Sequence, residues 1–589
     1  MEEGVFRILS RTWRSIYRNK FDYLINASVL QLIMTSIGTY LLSEIFNLVL
    51  ASSRQTNINM DNIGVLVKNP ISLVMVAVYL LFFALLITIE FSVMCMMVYG
   101  KQNNKYYSIK SALLIASKRF KGLIGVSFIF FIGYLLVTIP TANTGMMSIL
   151  TEKLYIPKFI TDEILKMGWG RFFIPMISLV FIYINFRLIF SIPILLIKGK
   201  DFRTCLFESW KLTRKKKLKL ATTMVLFEVP LSLANLLFYA GIVTVLSMVD
   251  PQGKDLVSEA IFLSATKLGI FFFLVMTKIG ILEIIISIIS GGQDLSEDID
   301  TISQEERKKS KLLISSLVVV SISSIVVNGF RLSLWDINKD MKTIAHRGCV
   351  GYGAENSIEA LEGAKRVGVD YAEMDVQMTK DHKFVVVHDF NLKRLTGKKL
   401  YVKDMYYKDI VGMKIRDQGF TGNIVSFEEY VKKAKELNIK LLVELKPNGG
   451  EPKNYADLFI KEVDRLGIRK EYKYMSLSKS LMEEINKKAP EMETGHVIPL
   501  QIGGFSDEDV DFFVIEDFSY RNRYVEEAKL MGKDVYVWTI NDEGKMNQYL
   551  QRPVDGIITD EASIFLNIKR DYMKNNTYFD RLARIIEAS

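Results

Sequence analysis

Apolar residues fall along this chain in two distinct rhythms. Up to about residue 330 they come in runs of twenty or more, and beyond it in runs of four to six between charged stretches. The first rhythm predicts membrane helices and the second a water-soluble α/β fold. Seven stretches are each long enough to cross ~30 Å of hydrocarbon as a helix: 24–48, 70–99, 119–140, 171–197, 220–249, 260–290 and 311–330. From residue 343 onward, short strand-like segments alternate with amphipathic helical ones. The strands read are TIAH, YAEMDV, KLLVELK, YKYMSLS, TGHVI, DFFVIED, DVYVWTI and GIITD. Eight strands in a β/α alternation predict a closed (β/α)8 TIM barrel. The chain therefore divides into a polytopic α-helical membrane domain, 1–335, and an α/β barrel domain, 336–589.

One strand breaks the alternation. FVVVHD follows YAEMDVQM after only the five residues TKDHK. A parallel crossover needs a dozen or more residues, so these two segments predict an antiparallel hairpin.

Charge orients the membrane half. The chain has a formal net charge of +10, and half its residues are hydrophobic. The excess sits in short segments beside apolar runs, which calls for no nucleic-acid partner. The N-terminus carries Arg7, Arg11, Arg14, Arg18 and Lys20; loop 51–69 is poor in positive charge; loop 100–118 carries Lys101, Lys105, Lys110 and Lys118. Loop 141–170 is mixed, loop 198–219 contains KLTRKKKLK, loop 250–259 is nearly free of Lys and Arg, and loop 291–311 ends in Arg307-Lys308-Lys309. This alternation predicts a cytoplasmic N-terminus. Seven spans then put the barrel outside the cytoplasm, in a multi-pass protein of the cell membrane. Glu90, Arg187, Glu228, Lys278 and Glu283 fall within spans, where charges pair or line a polar cavity. The three cysteines, Cys95, Cys205 and Cys349, fall in a span, an inner loop and the outer domain, so no disulfide is expected.

Candidate chemistry gathers at one end of the barrel. His346 and Arg347 close the first strand. Glu373 and Asp375 are two apart and share a strand face. The hairpin returns His388 beside them; Glu444 and Lys446 share a face of another strand, and Trp538 ends a late one. The C-terminal rim is where barrels of this type build their sites. Three carboxylates offer hard oxygen ligands to Ca2+ or Mg2+. Arg347 offers a planar fork to a phosphate, and two histidines can take and give a proton.

The ordered set HRG, ENS, EMDVQMTKD, VVVHD, VELK, VYVWTIN and DGIITD resembles the glycerophosphodiester phosphodiesterases over residues 342 to 565. The spans before it resemble the membrane domain in front of some bacterial members. The resemblance implies a barrel enzyme that cleaves glycerophosphodiesters to sn-glycerol 3-phosphate and an alcohol with one divalent cation. It implies His346 and His388 as the acid/base pair and Glu373, Asp375 and Glu444 as metal ligands. It further implies Arg347 as a phosphate contact, Lys446 and Trp538 as substrate contacts, and 391–425 as a cap over the mouth. The chain departs from the pattern at Ala354, Ser357, His382 and Glu561-Ala562, where the family usually has Pro, Thr, Gly and a Pro. An extracytoplasmic enzyme would meet deacylated phospholipids, lysolipids or polyglycerol-phosphate (teichoic-type) polymers. The rival reading is a transport or lipid-handling membrane protein with an accessory barrel.

Overall fold

The computed structural model describes residues 4–582 except 56, 60–62, 139–160, 162–163, 166–168, 291–310, 335–337, 339, 575–576 and 579. Most of loop 141–170, the charged end of loop 291–311 and the 335/336 domain boundary lie outside the described residues. The chain forms two compact units. One holds residues up to 52, 70–156 and 160–334, and the other holds 335–589 together with 53–69 and 157–159.

The first unit is helical. The described residues of every apolar stretch read from the sequence lie on a helix or a run of helices: Val5–Ser53, Pro70–Gln102, Ile109–Thr138, Phe172–Lys198, Phe202–Val249, Leu256–Ser290 and Lys311–Leu334. Five of these are single helices long and apolar enough to cross a bilayer. The stretch 109–138 bends by 108° between Leu123 and Val126, and in the last helix the apolar part is the shorter Val318–Phe330. Charged groups inside this unit take an opposite charge or polar neighbours as partners. Glu90 and Arg187 are buried, Lys278 lies 3.7 Å from Glu90, and Glu228 accepts from Thr277 at 3.2 Å. The fully buried Glu283 accepts from Tyr23 at 2.9 Å and also from Ser15 and Gln102. An unpaired polar group in hydrocarbon is costly, which accounts for this pairing.

The second unit is a closed barrel of eight parallel strands. They are β1 (Lys342–Ala345), β2 (Tyr371–Met378), β3 (Lys440–Leu445), β4 (Lys473–Ser476), β5 (Glu493–Ile498), β6 (Phe512–Glu516), β7 (Asp534–Trp538) and β8 (Gly556–Thr559). Each pairs with the next, and β8 closes on β1. Ile344, Leu442, Met475, Val497, Phe512, Val514, Tyr536 and Ile558 fill the barrel interior. The alternate residues face the helices in a larger core. One crossover lacks its helix. Between β5 and β6 the chain runs through 499–511 as loop and a short strand, Gln501–Ile502.

The predicted hairpin is present. β2 overshoots the rim, and Phe384–Val386 returns antiparallel to it, pairing Val376 with Val386. At the hairpin tip His382 has φ +58°, in the left-handed region that the usual glycine adopts freely. Ser357 does the work of the expected threonine, capping the helix Ile358–Val367 through a 3.2 Å bond from the Ala360 amide. Left-handed backbone costs an ordinary residue roughly 1–2 kcal/mol, and a β-branched one is strained furthest. His382→Val should therefore lower the midpoint of barrel unfolding by roughly 2–8 °C, whereas His382→Gly should not lower it. Differential scanning calorimetry of the two variants checks this.

Candidate functional site

The mouth of the barrel is organised by carboxylates. Asp375 on β2 stands in register with Glu444 on β3, and Glu373 lies two residues before Asp375 on the same strand face. One oxygen from each of the three lies within 4.8 Å of the others. Glu373 and Asp375 are fully buried. Two ionised carboxylates at that distance repel by about 3–4 kcal/mol at an effective dielectric constant near 20. The titration directions follow. Burial, then the charges of Asp375 and Glu444, hold Glu373 well above the usual carboxylate range. Burial and Asp375 also raise Glu444, against the pull of Lys446. Asp375 suffers the same burial but is held low by Lys446, His388, Arg347 and the Asn356 amide.

Each partner is placed by local backbone. Arg347 and Asn356 both adopt positive φ, +53° and +60°. The Arg347 amide thereby donates to Glu373 Oε2 at 2.6 Å, and its guanidinium donates to Glu355 at 2.9 Å. Arg347 Nε lies 3.5 Å from Asp375 Oδ2 and makes no hydrogen bond. Asn356 grips Asp375 twice, donating to Oδ2 at 2.7 Å and accepting from the Asp375 amide at 3.0 Å. Lys446 sits 3.4 Å from Asp375 and 3.8 Å from Glu444. Trp538 ends β7 in register with Glu516, packs against the barrel interior, and has an indole N–H without a hydrogen-bond partner.

Both histidines are pinned through Nδ1. His346 meets Asp560 at 2.7 Å, across the β8–β1 seam. His388 follows the Val387 amide, which donates to Asp375 O at 3.0 Å, and its ring meets Asp389 at 2.9 Å. Asp560 is half-buried, and although burial pushes its carboxyl up, the His346 charge and hydrogen bond bring it down to about 2. A carboxylate on Nδ1 fixes the ring and directs Nε2 to whatever enters the mouth.

The sequence reading brought His346, Arg347, Glu373, Asp375, His388, Glu444, Lys446 and Trp538 to this rim, and the structure gathers all of them there. Four further residues had no role assigned. Asn356, Asp389 and Asp560 stand in the quoted segments ENS, VVVHD and GIITD. The fourth, Arg394, donates to Asp389 at 2.7 Å, to Asp417 at 3.1 Å and to Glu355. Glu355, His388 and Asp389 form a second close group of potential ligands. There Arg347 and Arg394 already compensate the two carboxylates.

The donor set suits a cation. Glu355, Glu373, Asp375, Asp389, Asp417, Glu444 and Asp560 are seven carboxylates, against the three permanent cations Arg347, Arg394 and Lys446. Glu373 Oε1 is buried and has no hydrogen-bond partner. Three carboxylates whose oxygens lie this close together could hold a divalent ion.

Both halves of the chain are similar to known proteins. Residues 9–327 match the model of the membrane domain of glycerophosphoryl diester phosphodiesterase, and 346–563 match the glycerophosphoryl diester phosphodiesterase family. A glycerophosphodiester phosphodiesterase of Caldanaerobacter subterraneus subsp. tengcongensis is 26% identical over 39% of this chain and 99% of its own. One of Bacillus subtilis is 28% identical over 39% of this chain and 87% of its own. A crystal structure of a glycerophosphodiester phosphodiesterase from Parabacteroides distasonis superposes with a TM-score of 0.35 at 25% identity, covering 40% of this chain and 99% of that one.

Glu373→Gln, Asp375→Asn and Glu444→Gln should each weaken binding of Ca2+ or Mg2+. In the unmodified protein, binding should release protons and weaken as pH falls, because the cation must displace protons from the raised Glu373 and Glu444. Titration calorimetry in buffers of different ionisation enthalpy measures both effects.

Proposed function

The chain belongs to the glycerophosphoryl diester phosphodiesterase family and is a glycerophosphodiester phosphodiesterase joined to a membrane domain; we propose that it works with one divalent cation, outside the cytoplasm, on lipid-derived or polyglycerol-phosphate substrates. The observation that carries the mechanism is two carboxylate-pinned histidines facing one trio of crowded carboxylates.

Glu373, Asp375 and Glu444 would hold the cation, Ca2+ or Mg2+. When bound, it withdraws negative charge from a phosphoryl oxygen. Arg347 and Lys446 lie beside the trio and attract the same phosphate. The positive φ of Arg347 turns its amide to Glu373, so its planar guanidinium is fixed before substrate arrives. Trp538 offers an apolar wall to the glycerol or its alcohol partner. One histidine takes a proton at Nε2 from the nucleophile, a water or the neighbouring glycerol hydroxyl. The other gives a proton to the departing alkoxide. Asp389 and Asp560 each accept from a ring Nδ1–H, which leaves Nε2 of the base free to take its proton and stabilises the imidazolium of the acid.

The location rests on chain topology. Residues 53–69 connect the first two apolar helices, yet part of this loop belongs to the barrel unit. Its Ile58–Asn59 strand pairs with Gln501–Ile502. That pairing supports a barrel on the side of this loop, which is poor in Lys and Arg whereas the N-terminal segment before it is rich in them. The positive-inside rule then supports a barrel outside the cytoplasm, where glycerophosphodiesters come from lipid or wall polymer.

His346→Ala and His388→Ala should each lower kcat by about 10²–10⁴-fold, with circular dichroism unchanged. A His388→Ala protein of near-normal rate would remove that residue from the acid/base pair. For the location, protease added to intact cells or protoplasts should cut the barrel and spare the loop around Lys215–Lys217. A protected barrel would place the enzyme in the cytoplasm.

A further inference from the structure

The crossover from β5 to β6 is the one place where the described barrel has a short strand and loop in place of a helix. It leaves β5 at the C-terminal rim. Gln501 is tied to the turn after β6 by its amide, which donates to Ser519 Oγ at 2.8 Å, and its side chain donates to Gly504 O at 2.8 Å. A two-residue strand standing free at a rim exposes unpaired backbone groups. Here Ile58–Asn59 covers it, antiparallel, with Ile58 opposite Ile502 and Asn59 opposite Gln501. Asn57 Nδ2 adds a 3.0 Å bond to Gly504 O. Asn57, Ile58 and Asn59 are 3%, 5% and 9% exposed, so the segment is packed into the rim and does not merely lie on it.

Its position around the barrel is specific. The strand order is β2, β1, β8, β7, β6, β5, β4, β3, returning to β2. β6 therefore stands directly across the mouth from β2. The cap, with its own two-stranded sheet Lys414–Asp417 and Phe420–Asn423, follows the hairpin on β2. The Ile58–Ile502 sheet is anchored beside the end of β6, whose Glu516 is in register with Trp538. Ile502 keeps 39% of its surface open although it is paired.

We infer that Asn57–Asn59, from the loop between the first two apolar helices, is a built-in rim strand that braces the wall of the substrate mouth opposite the cap, where the open face of Ile502 adds binding surface for bulky, acyl-bearing diesters. The inference rests on the reading that the mouth takes glycerophosphodiesters. The two small sheets then bracket the reacting phosphate. A deacylated diester stays within the carboxylate and histidine layer, whereas an acyl chain must pass the rim and meet the wall. The wall is held in place by strand addition, in which backbone bonds supply the affinity.

Two measurements on the purified full-length protein test this. Paired strand residues lie 4.5–5.5 Å apart at Cα, within disulfide range. The double variant Ile58→Cys/Ile502→Cys should form an intrachain disulfide under mild oxidation, found by peptide mass mapping, and the single variants should form none there. The second measurement compares KM for a lysophospholipid with KM for its deacylated glycerophosphodiester. Asn57→Ala and Ile58→Asp should each raise that ratio by about 2–10-fold, the worth of one or two rim bonds, with kcat on the deacylated substrate unchanged. A double-cysteine protein that is active yet forms no disulfide overturns the pairing. An unchanged KM ratio in both single variants overturns the wall. Loss of all turnover in the unmodified protein would instead count against the proposed function.

Discussion

The mouth of the barrel is governed by mutual repulsion. Glu373, Asp375 and Glu444 place oxygens within 4.8 Å of one another, and Glu373 and Asp375 have no access to solvent that would screen them. At that spacing each ionised pair stands against about 3–4 kcal/mol, a large share of a domain's net stability of about 5–15 kcal/mol. The neighbouring residues are arranged to contain it. Arg347 is turned by a positive φ so that its amide meets Glu373, Asn356 holds Asp375 from both sides, and Lys446 lies between Asp375 and Glu444. The carboxylate excess that remains is what a divalent ion would relieve, and the same excess would repel a phosphodiester if nothing relieved it.

The hairpin on β2 follows from the same requirement. β1 ends at Ala345, and above it the returning strand takes over the free edge of β2. That substitution opens the layer in which His346 and Arg347 turn inward, and it sets His388 at the level of Asp375. The two catalytic candidates thus reach the trio from adjoining segments while their anchors, Asp560 and Asp389, come from β8 and from the hairpin itself. The membrane unit solves a related problem in another solvent. Glu283 and the Glu90–Lys278 pair are buried among apolar helices and take their partners from neighbouring segments of that unit.

Much of this was legible in the sequence because it depends on spacing. Five residues between two strands exclude a crossover, two-residue spacing aligns Glu373 with Asp375 and Glu444 with Lys446, and barrel topology puts all strand ends on one rim. Contacts between distant segments were not legible. Asp560 lies 214 residues from His346 and Asn57 447 residues from Gly504, and no local pattern marks either pair. Arg394 reads as an ordinary charge in the segment 391–425 until Glu355, Asp389 and Asp417 are seen around it. The missing helix between β5 and β6 shows the same limit, since 499–511 is long enough to hold one and tertiary pairing decides otherwise.

The most direct test of the account is the cation dependence of turnover in the full-length protein. Chelator-treated enzyme should release almost no glycerol 3-phosphate from a glycerophosphodiester. Adding back Ca2+ or Mg2+ should restore release in the unmodified chain but not in Glu373→Gln. Full turnover in rigorously metal-free protein would contradict the claim that the crowded carboxylates are the seat of a cation.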